Sequence, residues 1–134
     1  MFVLDASTAL DWLLPGQSTA VSERASREAR KGPVVVPGLW LIETQNVVLT
    51  MLRQKRLSAQ DAWEIRMELR LLSKRVDGTA TPEIVVQIWE IAEHHMLTYY
   101  DAVYVELAAR LDLPLASSDA AIQAAAKRLK LELI

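Results

Sequence analysis

The feature that most limits what this chain can fold into is a repeated step from a short apolar run into a helix-forming stretch. FVL at residues 2–4 ends in Asp5 and continues into STALDWLL, an apolar-periodic segment that stops before Pro15 and Gly16. VVVP at 34–37 follows the Gly32-Pro33 break and leads into a long helix from about Leu39 to Arg56. Pro114 to Ala116 is a third extended piece, SSDAAIQAAAKRL a final helix, and LELI a closing strand. Strands that alternate with helices imply a parallel sheet, because parallel neighbours need a crossover connection. The expected fold class is therefore α/β, with helices on both faces of a central, mostly parallel sheet.

The remaining segments fit between these steps. Ser18 to Lys31 reads as a polar, charged helix. Ser58 with Asp61 three residues later makes a capping-box-like start for AQDAWEIRMELRLLSK, and Thr81 before Pro82 opens another helix through His95. RVDG between those two could form a short strand, and Thr98 caps the helix that contains Asp101. There is no internal repeat, low-complexity tract or linker, so one domain spanning residues 1–134 is expected.

Composition closes off several function classes. The 134 residues are 51% hydrophobic and 24% charged, an ordinary globular balance. The absence of Cys removes disulfides, thiolate nucleophiles and Cys-based zinc sites. A net charge of -2 gives no global attraction to nucleic acid, so any such binding must come from local patches. The start, MFVLDASTALDWLL, has no basic n-region, and Asp5 and Asp11 interrupt its apolar run. It is read as neither a signal peptide nor a membrane span, and a cytoplasmic location is expected.

Two carboxylates fall where an open α/β sheet binds ligands, outside the carboxyl ends of its strands, and a third, Asp101, could share that edge. Asp5 follows FVL directly, and Asp119 comes shortly after PLA. Asp101 sits on the helix TYYDAVYVELAAR, whose Tyr99, Glu106 and Arg110 form the expected wet face while Asp101 turns with Val105 and Ala108 toward the packed side. Each acid also has a plain reading: Asp5 and Asp119 are good helix N-caps, and Asp101 lies three residues after Thr98, where an acid favours the helix start. Clustered together, they would need a compensating cation or raised pKa values. Hard divalent cations, Mg²⁺ or Mn²⁺, suit such an all-oxygen donor set. Glu43 shares a helical stripe with Asn46, Thr50 and Gln54, and the pattern leaves open whether that stripe meets solvent or a cleft.

Other polar features read more simply. Arg24, Arg27 and Lys31, and the group Arg53, Lys55 and Arg56, could guide an RNA backbone, yet Glu23 and Glu28 interleave the first set as on a solvated face. Arg66, Arg70 and Lys74, beside Glu64 and Glu68, read as plain surface, and His94 and His95 as favourable charges at a helix end. Trp12, Trp40, Trp63 and Trp89 lie in apolar helical patterns that suit a core, with Trp63, Met67 and Leu71 supplying more apolar face than a small domain needs.

VLDAS, WLIETQNVV, TYYDAVYVELA and PLASSDAAIQAAAKRL, in this order and spacing, resemble the PIN-domain fold, and specifically the VapC-type toxin ribonucleases of toxin-antitoxin pairs. The resemblance implies a PIN-like three-layer α/β/α sandwich. Carried over by position, it implies Asp5, Glu43, Asp101 and Asp119 as a metal-binding catalytic quartet. Ser7 matches the hydroxyl residue after the first acid, and Ser117 stands where the family more often has Thr. The implied activity is Mg²⁺- or Mn²⁺-dependent hydrolysis of RNA phosphodiesters, leaving a 5′-phosphate and a 3′-hydroxyl. A homodimer and a cognate VapB-like antitoxin that covers the toxin's apolar groove are implied as partners.

Two competing readings are weighed against it. An aspartate-based phosphotransferase or receiver domain also places an acid after the first strand, but the former wants a second Asp where this chain has Ser7. The latter wants adjacent acids and a late Lys that are not found. A catalytically silent binding module on the same scaffold would have lost acids, and all four are present.

Overall fold

The computed structural model describes residues 1–78 and 80–134. Its elements run β1 (Val3–Leu4), α1 (Ala6–Leu13), α2 (Ala20–Ala29), β2 (Val34–Pro37), α3 (Gly38–Arg53) and α4 (Ala59–Leu71). They continue with β3 (Lys74–Asp77), α5 (Pro82–His95), α6 (Tyr99–Leu111), β4 (Leu115–Ala116) and α7 (Ala120–Arg128). Among the described residues the sheet has four strands in the order β3-β2-β1-β4, and every pairing is parallel.

Every residue of β1, β2 and β4 is buried. Side chains alternate between the two faces of a strand, so consecutive burial means that both faces are covered, as a three-layer α/β arrangement requires. The core joins these strands to Trp40, Val48, Tyr104, Val105, Leu107 and Ile122 from α3, α6 and α7. β3, the RVDG strand, lies at the sheet edge with its middle residues exposed. LELI shrinks to a single parallel bridge between Leu133 and Leu115, held by Leu115 N–H to the Glu132 carbonyl and Ile134 N–H to the Leu115 carbonyl.

The expected caps Asp5, Ser58, Thr81, Thr98 and Asp119 form, and Thr19, not anticipated, caps α2; each accepts a backbone N–H from the first turn of the following helix. Four helices end in a turn with a left-handed non-glycine residue: Lys55, Met96, Asp112 and Lys130. In each, the next residue's N–H reaches back to a carbonyl of the last turn, as Arg56 N–H does to Met51 at 2.9 Å. α3 therefore stops earlier than the apolar pattern suggests, and the chain reverses at Lys55.

Three expectations need correction. Glu106 is not on a wet face: it is 5% exposed and accepts a 2.7 Å hydrogen bond from Arg110, which also donates to Asp77 of β3 at 2.7 Å. A side chain from a distant strand encloses that side of α6, which helix geometry alone cannot anticipate. Lys74 is more than plain surface, since its ammonium donates to the carbonyls of Leu69, Arg70 and Leu72 at the end of α4 and lies 5.8 Å from the centre of the Trp40 ring. Trp89 is more than half exposed and so does not join the core as its pattern suggested, whereas Trp40 is buried and Trp63 is exposed as its surplus apolar face implied. No helix among the described residues is long and apolar enough to cross a membrane.

Candidate functional site

The strand order fixes where a site can form. From β1 the chain moves to β2 and β3 on one side and places β4 on the other, so the order reverses between β1 and β4. Loops leaving such neighbours diverge and open a crevice at their carboxyl ends. Asp5 leaves β1 there and Ser117 leaves β4, and the Ser117 hydroxyl donates to Asp5 Oδ2 at 3.0 Å.

Asp5 is 5% exposed and is fixed by hydroxyls. Ser7 Oγ donates to the same Oδ2 at 2.7 Å and Thr8 Oγ1 at 3.4 Å, while Oδ1 accepts one long bond of 3.3 Å from the Ser7 N–H. Thr8 Oγ1 in turn accepts the Ser118 N–H, and Ser117 Oγ accepts the Asp119 N–H, so the start of α1 and the loop after β4 are stitched together around one carboxylate. Burial raises the pKa of Asp5. The hydroxyls of Ser7 and Ser117 and the Ser7 N–H offset part of that rise, and the charge of Asp101 adds to it.

Glu43 is half-buried on α3, and the ambiguity of its stripe is resolved toward a cleft. A cavity of about 490 Å³ is lined by Asp5, Ser7, Glu43, Asn46, Thr50 and Asp101, among others. Tyr104 of α6 donates its phenolic hydrogen to Glu43 Oε1 at 2.8 Å. Burial raises the Glu43 pKa, the Tyr104 bond lowers it, and the charges of Asp5 and Asp101 raise it again. Asp101, partly buried at the start of α6, thus shares one electrostatic environment with both.

Asp119 stands apart. It is exposed, its Oδ1 caps α7 by accepting the Ile122 N–H at 2.9 Å, and it does not line this cavity. It reaches the site through its backbone, by way of Ser117. Asp11 was given no site role by pattern, yet it lines the cavity, and burial raises its pKa while the Ser118 hydroxyl offsets part of the rise. The available signal was its spacing: four residues after Ser7, it belongs to the same face of α1. Tyr104, three residues after Asp101, was legible in the same way.

Among the described residues, no three His, Asp or Glu side chains close into a ready-made metal cage. The donor set nonetheless fits a hard divalent cation. It is all oxygen, Asp5 Oδ1 has only one long bond, and the charge of Asp101 raises the pKa of Asp5 while those of Asp5 and Asp101 raise that of Glu43, which is the repulsion a cation relieves.

Comparison with solved structures finds the same architecture. PAE2754 from Pyrobaculum aerophilum superposes with a TM-score of 0.68 at 19% identity, over 92% of this chain and 83% of that one. VapC20 of Mycobacterium tuberculosis, described as a sarcin-ricin loop cleaving toxin, superposes with a TM-score of 0.63 at 20% identity, over 93% of this chain and 95% of its own. No curated protein sequence gives a significant match. The model of the PIN domain family matches residues 2–128, nearly the whole length, and the chain belongs to that family.

Proposed function

We propose that this protein is a Mg²⁺- or Mn²⁺-dependent endoribonuclease of the VapC toxin type. The observation that carries the reading is the convergence of Asp5, Glu43 and Asp101 on one cavity at the β1/β4 crevice. PIN domains are generally nucleases, and the similar VapC20 is a sarcin-ricin loop cleaving toxin, which supports the RNA-directed form of the activity.

In this reading Asp5, Glu43 and Asp101 would hold the cation, and Asp119, exposed at the start of α7 and outside the cavity, is the proposed fourth acid. A divalent ion in that place supplies charge neutralisation and water activation at a phosphodiester. The chain's own groups prepare for it. Ser7 and Ser117 hold Asp5 in one rotamer, and Tyr104 holds Glu43 and favours its ionised form. A pre-oriented carboxylate spends no further side-chain freedom on binding. The fold supplies no Cys, and the reaction asks for no protein nucleophile.

A second copy and a VapB-like antitoxin are the proposed partners, acting in the cytoplasm. Trp63 and Trp89, exposed on α4 and α5, are the large apolar groups that such partners would cover. The test is cleavage of RNA by the purified protein with Mg²⁺ or Mn²⁺, with 5′-phosphate ends mapped by sequencing, beside Asp101→Asn. Metal-dependent cuts that vanish in the folded Asn variant support the proposal. Equal cleavage by both proteins would remove Asp101 from the site.

A further inference from the structure

The cavity extends well beyond the carboxylates. Glu43, Asn46, Thr50 and Gln54 follow one face of α3, and at about 1.5 Å per residue Gln54 lies roughly 16 Å along the helix from Glu43. Gln17, from the loop after α1, and Arg56, returned by the left-handed turn at Lys55, complete that far end. One end of the groove is thus acidic, and the other carries carboxamides and one cation.

The chain's carboxamides divide by position. Gln45 is taken by Arg66, Gln60 by Glu64, and Gln123 by the Ser117 carbonyl. Among the described residues, the side chains of Gln17, Asn46 and Gln54 make no hydrogen bond to the protein, and Arg56 forms no ion pair. Gln87, exposed on α5, is free as well, so three of the four free carboxamides among the described residues are gathered on the wall of the acidic cavity. Each presents a donor beside an acceptor, the pattern that pairs with the edge of an unstacked base.

We infer that the groove wall running from Asn46, one turn from Glu43, to Gln54, with Gln17 and Arg56, is a nucleotide subsite that reads base edges of single-stranded RNA next to the scissile phosphate. The inference rests on the proposed function for its substrate class. Single-stranded RNA is read by hydrogen bonds to the edges of splayed bases, and a length of roughly 16 Å leaves room for more than one nucleotide. Arg56 supplies a phosphate contact that balances the approach of a polyanion to an acidic cavity.

The experiment measures binding separately from cleavage. Labelled hexamers of A, C, G and U are titrated with the wild-type protein by fluorescence anisotropy in Ca²⁺ at fixed salt, and with a variant carrying Asn46→Ala and Gln54→Ala. A spread of about tenfold between best and worst hexamer is expected for the wild type, since one bidentate pair discriminates by roughly that factor or more. In the double variant the spread should fall below about threefold. Gln17→Ala, on a different element, should also narrow it if the double variant does not fold. Arg56→Ala should weaken all four hexamers alike and lower the salt slope by about one.

Equal affinity of the wild type for all four hexamers, no binding to any, or an undiminished spread in a folded variant overturns the subsite. Selective binding without RNA cleavage would instead overturn the nuclease reading and leave the subsite standing.

Discussion

Tyr104 of α6 donates to Glu43 of α3 across 2.8 Å, and this bond joins two helices that meet at the acidic cavity. The phenol is 1% exposed, and its own pKa is pushed up by burial and then by the charge of Glu43. It therefore remains a donor throughout the working pH range. Its effect on Glu43 has the opposite sign to burial, favouring the carboxylate.

Tyr104→Phe keeps the ring and removes that bond. Glu43 then loses the influence that lowers its pKa and protonates at higher pH, so the acid limb of the cleavage profile should move upward. Stability should fall by about 1 kcal/mol, the usual net worth of a hydrogen bond. Rate against pH and denaturant unfolding check both effects. A profile that does not move would show that Glu43 ionisation does not limit the reaction.

Asp5 gives a pH-dependent signature in the absence of metal. Its folded pKa is raised, chiefly by burial, so its stabilising contribution is complete below the ordinary carboxylate range and is lost as pH rises through the folded value. At neutral pH the buried charge is a cost that Asp5→Asn removes, while the hydroxyls of Ser7 and Ser117 can rotate to meet an amide. In a chelator the Asn variant should melt above wild type at neutral pH, with the gap closing in acid. Mg²⁺ or Mn²⁺ should then raise the wild type by about 2.7 kcal/mol at one hundred times its dissociation constant, and the variant far less. Equal metal-induced shifts would remove Asp5 from the ligand set.

The strands that read clearly in sequence are those with both faces covered, because their apolar runs are unbroken. KRVD was weaker, since an edge strand with exposed middle residues has no such run. Asp5, at the end of β1, was legible by position, and so was the capping role of Asp119, whose side chain lies outside the cavity. Glu43 was not, because helical spacing says which residues share a face but not what lies opposite. Glu106 was misread for the same reason, its partner Arg110 being anchored on distant Asp77. The end of α3 was overrun because its left-handed stop is Lys55, where sequence would normally signal with glycine.

Those left-handed stops lead to a stability prediction away from the site. Met96 has φ of 53° and is 91% exposed, so it holds a backbone conformation that costs a side-chain-bearing residue about 1–2 kcal/mol, with little packing in return. Glycine removes that strain but brings back about 0.5–1 kcal/mol of unfolded-state entropy. Met96→Gly should therefore stabilise the protein by roughly 0.5–1 kcal/mol, seen as a higher denaturant midpoint with an unchanged slope. A lower midpoint would mean that the Met96 side chain holds a contact worth more than the strain.

Asp119 is the acid whose two roles are most cleanly separable. Its Oδ1 caps α7, and its backbone N–H holds Ser117, which holds Asp5. Asn is as good an N-cap as Asp, because its carbonyl oxygen accepts the same backbone N–H. Asp119→Asn should therefore retain the cap and the Ser117 relay, with stability changed by no more than about 0.5 kcal/mol. If the side chain also serves as the fourth acid, its lost charge must appear in activity, as a fall of about tenfold or more and a higher metal midpoint. Asp119→Ala is the control, since it loses cap and charge together and should melt about 1 kcal/mol lower. Wild-type cleavage and an unchanged metal midpoint in the Asn variant would leave Asp119 as a cap alone, with the chemistry resting on Asp5, Glu43 and Asp101.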